Sequence, residues 1–211
     1  PAGRGFAAEL GRDPGRLRIA VSTQAPYGAP THPDCICAVE DQVALLEDLG
    51  HVCVPQDLDL PDDGWRDFLC LAMAEYAAEM QAEERILGRP LGPADFAPVI
   101  WEIVQRGRAL RATDYVQALT GTHRTARQIL ALFDRHDLYL SPTLAQPPVP
   151  LGRFDLSVSA EAHYSAYLDW MPYTHPFNIA GAPAMSIPGM RNAEGLPIGC
   201  QFAARPGAEA L

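Results

Sequence analysis

The runs Leu17-Arg18-Ile19-Ala20-Val21-Ser22 and His51-Val52-Cys53-Val54-Pro55 decide the fold class of this chain. Each is short, rich in β-branched residues and bounded by turn formers, the pattern of a strand. Between them Ile36, Val39, Val43, Leu46 and Leu49 recur every three or four residues, the period of a helix with one buried face. Asp34 stands where an N-cap is expected, and Gly50 closes the helix. Two strands joined through a helix form a β-α-β unit and lie parallel.

Further along, Trp65, Phe68, Leu69, Met73, Tyr76, Met80 and Leu87 carry the helical period over residues 62–87, with Gly88 and Pro90 as stops. A second helix is expected over 94–108. A third starts at Thr113 as N-cap and carries Val116, Leu119, Ala126, Ile129, Leu130 and Phe133 on one face. Asp137-Leu138-Tyr139-Leu140 returns the chain to the sheet, and Ser141-Pro142-Thr143 opens a Pro-rich loop, the kind of strand-end loop where open α/β sheets hold ligands. A short helix over 160–170 follows. Then come strands at 184–187 and 198–203 joined by a turn at 192–195, a hairpin, and the first turn of a further helix at 206–211. The expected class is α/β, a mixed sheet with a β-α-β start, a helical insertion over 62–136 and a C-terminal β-hairpin. Residues 1–15, with Gly3, Gly5, Gly11, Pro14 and Gly15, read as a loop or tether before a domain over 16–211.

Composition narrows the function. The formal net charge is −10, and all 16 basic residues are arginine, so the chain holds no lysine to serve as base or Schiff-base former. An acidic surface is poorly matched to nucleic acid or anionic lipid, and neither is expected as a partner. The longest stretch without Asp, Glu or Arg, 170–190, holds Pro172, Pro176, Pro183 and Pro188 and reads as buried irregular backbone, not a membrane span. No signal peptide is recognised at the start, and a cytoplasmic setting is expected. The five cysteines are odd in number and lie in apolar contexts, which points to reduced, buried thiols. Cys35-Ile36-Cys37 has no companion pair at ligand spacing, so no metal is expected. Gly3-Arg4-Gly5-Phe6-Ala7-Ala8 matches a dinucleotide fingerprint in letters, but no strand precedes it. No cofactor is expected.

The residues give no complete catalytic set. Ser22, Ser141, Ser157, Ser159, Ser165 and Ser186 sit in no nucleophile elbow, and turn or capping roles explain them best. Of the six histidines, His175 alone falls in the uncharged stretch, where a hydrogen-bonded core role is the favoured reading. Glu83 with Glu84, and Asp62 with Asp63, fit solvated helix surfaces and caps. Trp101, Trp65 and Tyr76 are core-like by spacing, with a pocket-lining role as the other reading for Trp101.

Three segments carry a resemblance. Residues 16–22 with His32-Pro33-Asp34 and the helix to Leu49-Gly50-His51 form the first. Residues 137–143 with Pro147 and Pro148 form the second. The third and most specific is Pro176-Phe177-Asn178-Ile179-Ala180-Gly181-Ala182-Pro183-Ala184-Met185-Ser186-Ile187-Pro188, then Gly195-Leu196-Pro197-Ile198-Gly199-Cys200-Gln201 and Arg205-Pro206-Gly207. In order and spacing they resemble the C-terminal part of the amidase signature family, nearest the branch that includes 6-aminohexanoate cyclic-dimer hydrolase. The resemblance implies part of the amidase signature fold and a hydrolase of carboxylic amide C–N bonds, linear amides among them, working through Ser, cis-Ser and Lys. This chain departs decisively: it has neither the lysine nor the Gly- and Ser-rich signature, so no catalytic residue is assigned within it, and alone it should be inactive.

What the resemblance assigns to this chain is the substrate side. Trp101, Thr143, Phe177 and Asn178 are the candidates for substrate binding, with a backbone role for Asn178 and Gly181 as the competing reading. The implied partners are a small-molecule amide and the N-terminal half of the same protein, with a homodimer open. If that half supplies part of the core, one face of the strands at 17–22 and 184–187 should be exposed. Two other readings stand beside this one. The first is a non-catalytic small-molecule binding or regulatory module with an amidase-derived fold. The second is an independent serine hydrolase using Ser141 or Ser186 with His175.

Overall fold

A computed structural model describes residues 6–9 and 11–211 of the chain. The Gly3-Arg4-Gly5 portion of the rejected fingerprint, and residues 1–5 and 10 of the expected tether, lie outside the described residues. Five strands are described: β1 (Arg18–Val21), β2 (Val52–Pro55), β3 (Leu138–Pro142), β4 (Ala184–Arg191) and β5 (Pro197–Ala204). The α-helices among the described residues are α1 (Pro33–Asp48), α2 (Gly64–Leu87), α3 (Pro98–Arg108), α4 (Ala112–Ala131), α5 (Ala160–Trp170) and α6 (His175–Ala180). The chain divides into two compact units. The first comprises Pro1–Leu60, Ala126–Val149 and Asp169–Leu211, and the second Pro61–Thr125 and Pro150–Leu168.

The first unit is built on a five-stranded mixed sheet in the order β2-β1-β3-β5-β4. β1 lies parallel to both β2 and β3, while β5 runs antiparallel to β3 and to β4, as the hairpin reading requires. Because side chains alternate across a strand, Ile19, Leu140, Cys200 and Phe202 share a cluster with Cys35, Ala38 and Val39 of α1. Ala20, Tyr139 and Ala203 belong to a separate cluster with Ile129 of α4 and Phe177 and Ala180 of α6. Both faces of the central strands are thus covered, and each fully buried Ile or Leu contributes roughly 1.5–3 kcal/mol.

The expected exposed face is not found. At β1 Ile19 and Ala20 are fully buried by helices from either side. At β4, an edge strand, Ala184, Met185 and Ser186 are all exposed, and since successive side chains point to opposite faces this is an open edge and not one bare face.

Several boundaries differ from the sequence expectation for identifiable reasons. Asp34 does not cap α1. His32 does, its Nδ1 accepting the Asp34 N–H at 3.1 Å, while Asp34 sits in the first turn and accepts from Asn192 Nδ2 at 3.0 Å. The expected helix over 94–108 begins only at Pro98, because a residue before proline is driven out of the helical region and Ala97 is extended (φ −62, ψ 146). Thr113 does not cap α4, which starts a residue earlier with Asp114 reaching back to the Arg111 N–H at 2.9 Å. The 170–190 stretch is not irregular throughout, since it contains α6. Residues 206–211 make turns and no helix.

The second unit packs α2 against α3. Gly107 of α3 lies so close to α2 that a Cβ there would overlap the Met73 carbonyl. Val99, Ile103 and Ala160 are buried with Met73, Ile100 and Tyr164 around them. Glu102 ties α3 to α5 by accepting the Ala160 N–H at 2.8 Å. Among the described residues no helix is long and apolar enough to cross a membrane.

Candidate functional site

The first unit places a row of hydroxyl and amide side chains across the strand ends. Gln201 on β5 pairs with Ser141 of β3 on one side and Ser186 of β4 on the other, so the three lie in cross-strand register. Thr143, just past β3, anchors by its N–H to the Gly199 carbonyl at 3.0 Å. Its Oγ1 lies 2.7 Å from Ser186 Oγ. Gly199 leaves room for this pair, since a Cβ at that position would come 2.8 Å from Ser186 Oγ and 3.0 Å from Thr143 Oγ1. Ser186 is exposed and Thr143 half-buried, whereas Ser141 and Gln201 are buried.

Gln201 is the tie between sheet and loop. Its Nε2 donates to the Tyr173 carbonyl at 3.0 Å and reaches Ser141 Oγ at 3.4 Å. Tyr173 in turn donates its hydroxyl to the Thr23 carbonyl at 2.7 Å and lies 2.6 Å from Thr31 Oγ1. A single chain of bonds therefore links β5, the approach to α6 and the loop after β1. α6 starts with Pro176 in its first turn, where the missing N–H costs nothing, and stops at Gly181 in the left-handed region (φ +60).

The four candidates land in different settings. Phe177 is buried, its ring 5.5 Å from that of Tyr139 and tilted 48° to it. Asn178 is exposed at its side chain, and its carbonyl accepts the Gly181 N–H at 3.3 Å. Thr143 belongs to the hydroxyl row. Trp101 is part of the second unit, on α3, where it stacks on Phe96 at 6.1 Å and carries the Arg108 guanidinium 5.7 Å from its ring centre. Arg108 is itself held by Glu84 at 2.8 Å.

Sequence reasoning missed Gln201 and Tyr173 and read Ser186 as a turn residue. A signal existed for Gln201: a lone amide inside the apolar strand Ile198-Gly199-Cys200-Gln201-Phe202-Ala203 must be buried with a partner. Gln201→Leu keeps the volume and leaves the Tyr173 carbonyl without its donor. The expected result is a loss of about 1–3 kcal/mol of stability in urea unfolding, with faster amide exchange at residues 173–181.

Burial shifts several titratable groups of the first unit. Burial pushes the Tyr173 hydroxyl up to about 12 and raises that of Tyr139 as well, so both stay protonated. Burial pushes His175 down to about 3, against the opposing effect of a backbone hydrogen bond at Pro172, which makes it a very weak base. Ser141 Oγ donates to the Pro142 carbonyl at 3.0 Å, and Ser186 pairs with Thr143. Burial, then neighbouring acids, hold the thiols of Cys35 and Cys200 at about 11, so these two are not reactive thiolates.

Comparison with known proteins gives this mixed α/β sheet its family. The family model described as Amidase matches residues 1–211, and the chain belongs to that family. The chain is 29% identical over 220 residues to the 6-aminohexanoate-cyclic-dimer hydrolase of Pseudomonas sp. (strain NK87), covering 100% of this chain and 45% of that protein. A solved structure of 6-aminohexanoate cyclic dimer hydrolase complexed with substrate superposes with a TM-score of 0.92 at 26% identity, over all of this chain and 46% of the other. A bacterial aryl acylamidase of the amidase signature family superposes with a TM-score of 0.77 at 19% identity, a likeness of fold, over 97% of this chain and 43% of the other. The chain thus spans about half the length of the relatives it matches.

Proposed function

We propose that the chain is the C-terminal, substrate-side part of an amidase that hydrolyses carboxylic amide C–N bonds by a Ser, cis-Ser, Lys mechanism whose catalytic residues lie outside it. The observation that carries this reading is a family match over all 211 residues in a sequence with no lysine. The proton transfer that activates the nucleophile therefore needs a group this chain does not hold. Its own contribution is shape and hydrogen bonding. Within the first unit, Thr143 with Ser186 and the exposed Asn178 offer polar contacts to a bound amide, and the buried Phe177 braces that region through Tyr139; Trp101, in the second unit, is the remaining candidate for an apolar contact. The resemblance implies linear amides, while the cyclic-dimer hydrolase relative is named for a cyclic one, so the proposal is pitched at the amide bond itself. A cytoplasmic setting belongs to the same reading, since Cys35, Cys37, Cys53, Cys70 and Cys200 are all free thiols.

The purified chain is expected to release no ammonia from hexanamide and to take no label from a fluorophosphonate. Supplying the lysine-bearing half, from the reading frame that encodes it, is expected to give hydrolysis. Turnover by the chain alone, abolished by Ser141→Ala or Ser186→Ala, would sink the proposal and favour an independent serine hydrolase.

A further inference from the structure

Residues 23–31, the loop between β1 and α1, hold a backbone anomaly. Tyr27 lies in the left-handed region (φ +60, ψ +20) and is the one non-glycine residue to do so among the described residues. A bulky side chain loses free energy in that conformation and keeps it only where its surroundings over-determine it. Gly28 follows in the same region (φ +75), and the turn lays the Tyr27 ring on that of His175, centres 5.5 Å apart and 24° from parallel. Tyr173 fixes both ends of the loop, donating to the Thr23 carbonyl at 2.7 Å and lying 2.6 Å from Thr31 Oγ1. The loop after β3 holds it as well: the His32 N–H donates to the Ala145 carbonyl at 2.7 Å, and Gln146 Nε2 to the Pro30 carbonyl at 2.9 Å. With its ends fixed in this way, the loop delivers its tip to the first residue of α6.

We propose that Tyr27 is a positioning residue: its stack on His175 fixes α6, and thereby the direction in which Asn178 meets an amide bound at the site. The catalytic consequence rests on the amidase reading, while the structural part rests on geometry alone. α6 has six residues, too few to keep its shape and place by its own hydrogen bonds, so both come from what packs on it. Phe177 packs on Tyr139 from the sheet side, and Tyr27 packs on His175 at the helix start. Asn178 follows these two anchored residues directly and is exposed, so its side chain points where the two ring contacts hold the helix. All of these residues belong to the first unit. Glycine at position 27 would relieve the backbone strain but lose the ring, and strain is kept where geometry matters more than stability.

Tyr27→Gly, which removes the ring, and Tyr27→Phe, which keeps it, separate the stack from the strain. In the purified 15N-labelled chain, Tyr27→Gly is expected to shift the Asn178 side-chain amide resonances and to speed amide exchange over residues 177–182 about tenfold, with exchange in β3 and β5 unchanged. In the amidase assembled with its lysine-bearing half, the same variant is expected to lower kcat/KM for hexanamide about tenfold or more, chiefly through kcat, because a misdirected contact misplaces the amide. Tyr27→Phe is expected to restore both readouts, although it restores the strain too. If the glycine variant does not fold, Tyr27→Asn, whose side chain tolerates the left-handed region, carries the same test. Unchanged Asn178 resonances and exchange in the ring-less variant overturn the proposal, as does full activity of that variant in an assembled enzyme that works. An assembled wild-type enzyme without amidase activity counts against the amidase reading instead, and the resonance and exchange measurements on the chain then decide the Tyr27 stack by themselves.

Discussion

His175→Phe is expected to remove most of the first unit's sensitivity to acid. His175 is buried and its pKa is pushed from 6.5 to about 3, mainly by burial, so the folded state resists a proton that the unfolded chain accepts readily. The sign follows directly. Above pH 6.5 both states hold the ring neutral and the histidine has no effect. As pH falls from 6.5 toward 3 the unfolded state binds more protons, and stability drops by about 1.4 kcal/mol per pH unit. The accumulated loss is on the order of 4–5 kcal/mol at pH 3, comparable to much of a domain's total stability. Urea midpoints at pH 7, 5 and 4 make the comparison, with phenylalanine keeping a ring to stack on Tyr27, whose ring lies 5.5 Å from that of His175. An acid slope equal to that of the wild type in the variant would show that His175 is not the group responsible.

Gly107→Ala is expected to cost the second unit about 3 kcal/mol, in the direction opposite to helix propensity. Alanine is favoured over glycine within a helix by about 1 kcal/mol, so an unobstructed site would gain stability. Here the new Cβ overlaps the backbone carbonyl of Met73 and comes 2.9 Å from the Ala77 Cβ, and neither can rotate away. α2 and α3 must separate, exposing the buried Val99 and Ile103 cluster. Gly92→Ala is the matched control, with a negative φ of −134 and open space at the Cβ position, and is expected to change stability by less than about 0.5 kcal/mol. Equal thermal midpoints for the two variants would refute the close-packing account.

The sheet was readable because its strands are local and β-branched. β1, β2 and the helix between them were placed within a residue or two, and β4 with β5 emerged as a hairpin from the turn at 192–195. What escaped depends on contacts between distant positions. α6 was hidden because Pro176 and the surrounding prolines suggest irregular backbone, although proline is compatible with a helix's first turn. His32 was overlooked as a cap because histidine seldom fills that role, and Asp34 two residues later looked the better acceptor. The hydroxyl row could not be foreseen: Thr143 meets Ser186 only once the β3, β5 and β4 registers are fixed. The shared family did bring Thr143, Phe177 and Asn178 forward, but Gln201 and Tyr173, which brace that region, have roles visible only through backbone carbonyls.

The open flank of β4 has a bearing on how the chain behaves toward other strands. Its pairing with β5 slips register between Pro188 and Met190, and Pro188 offers no amide hydrogen to any neighbour. In-phase extension of the ladder is thereby confined to the four residues Ala184-Met185-Ser186-Ile187. So short a docking rail can accept one brief strand from a cognate segment, yet it is a poor template for the long, repetitive stacking that leads to fibres.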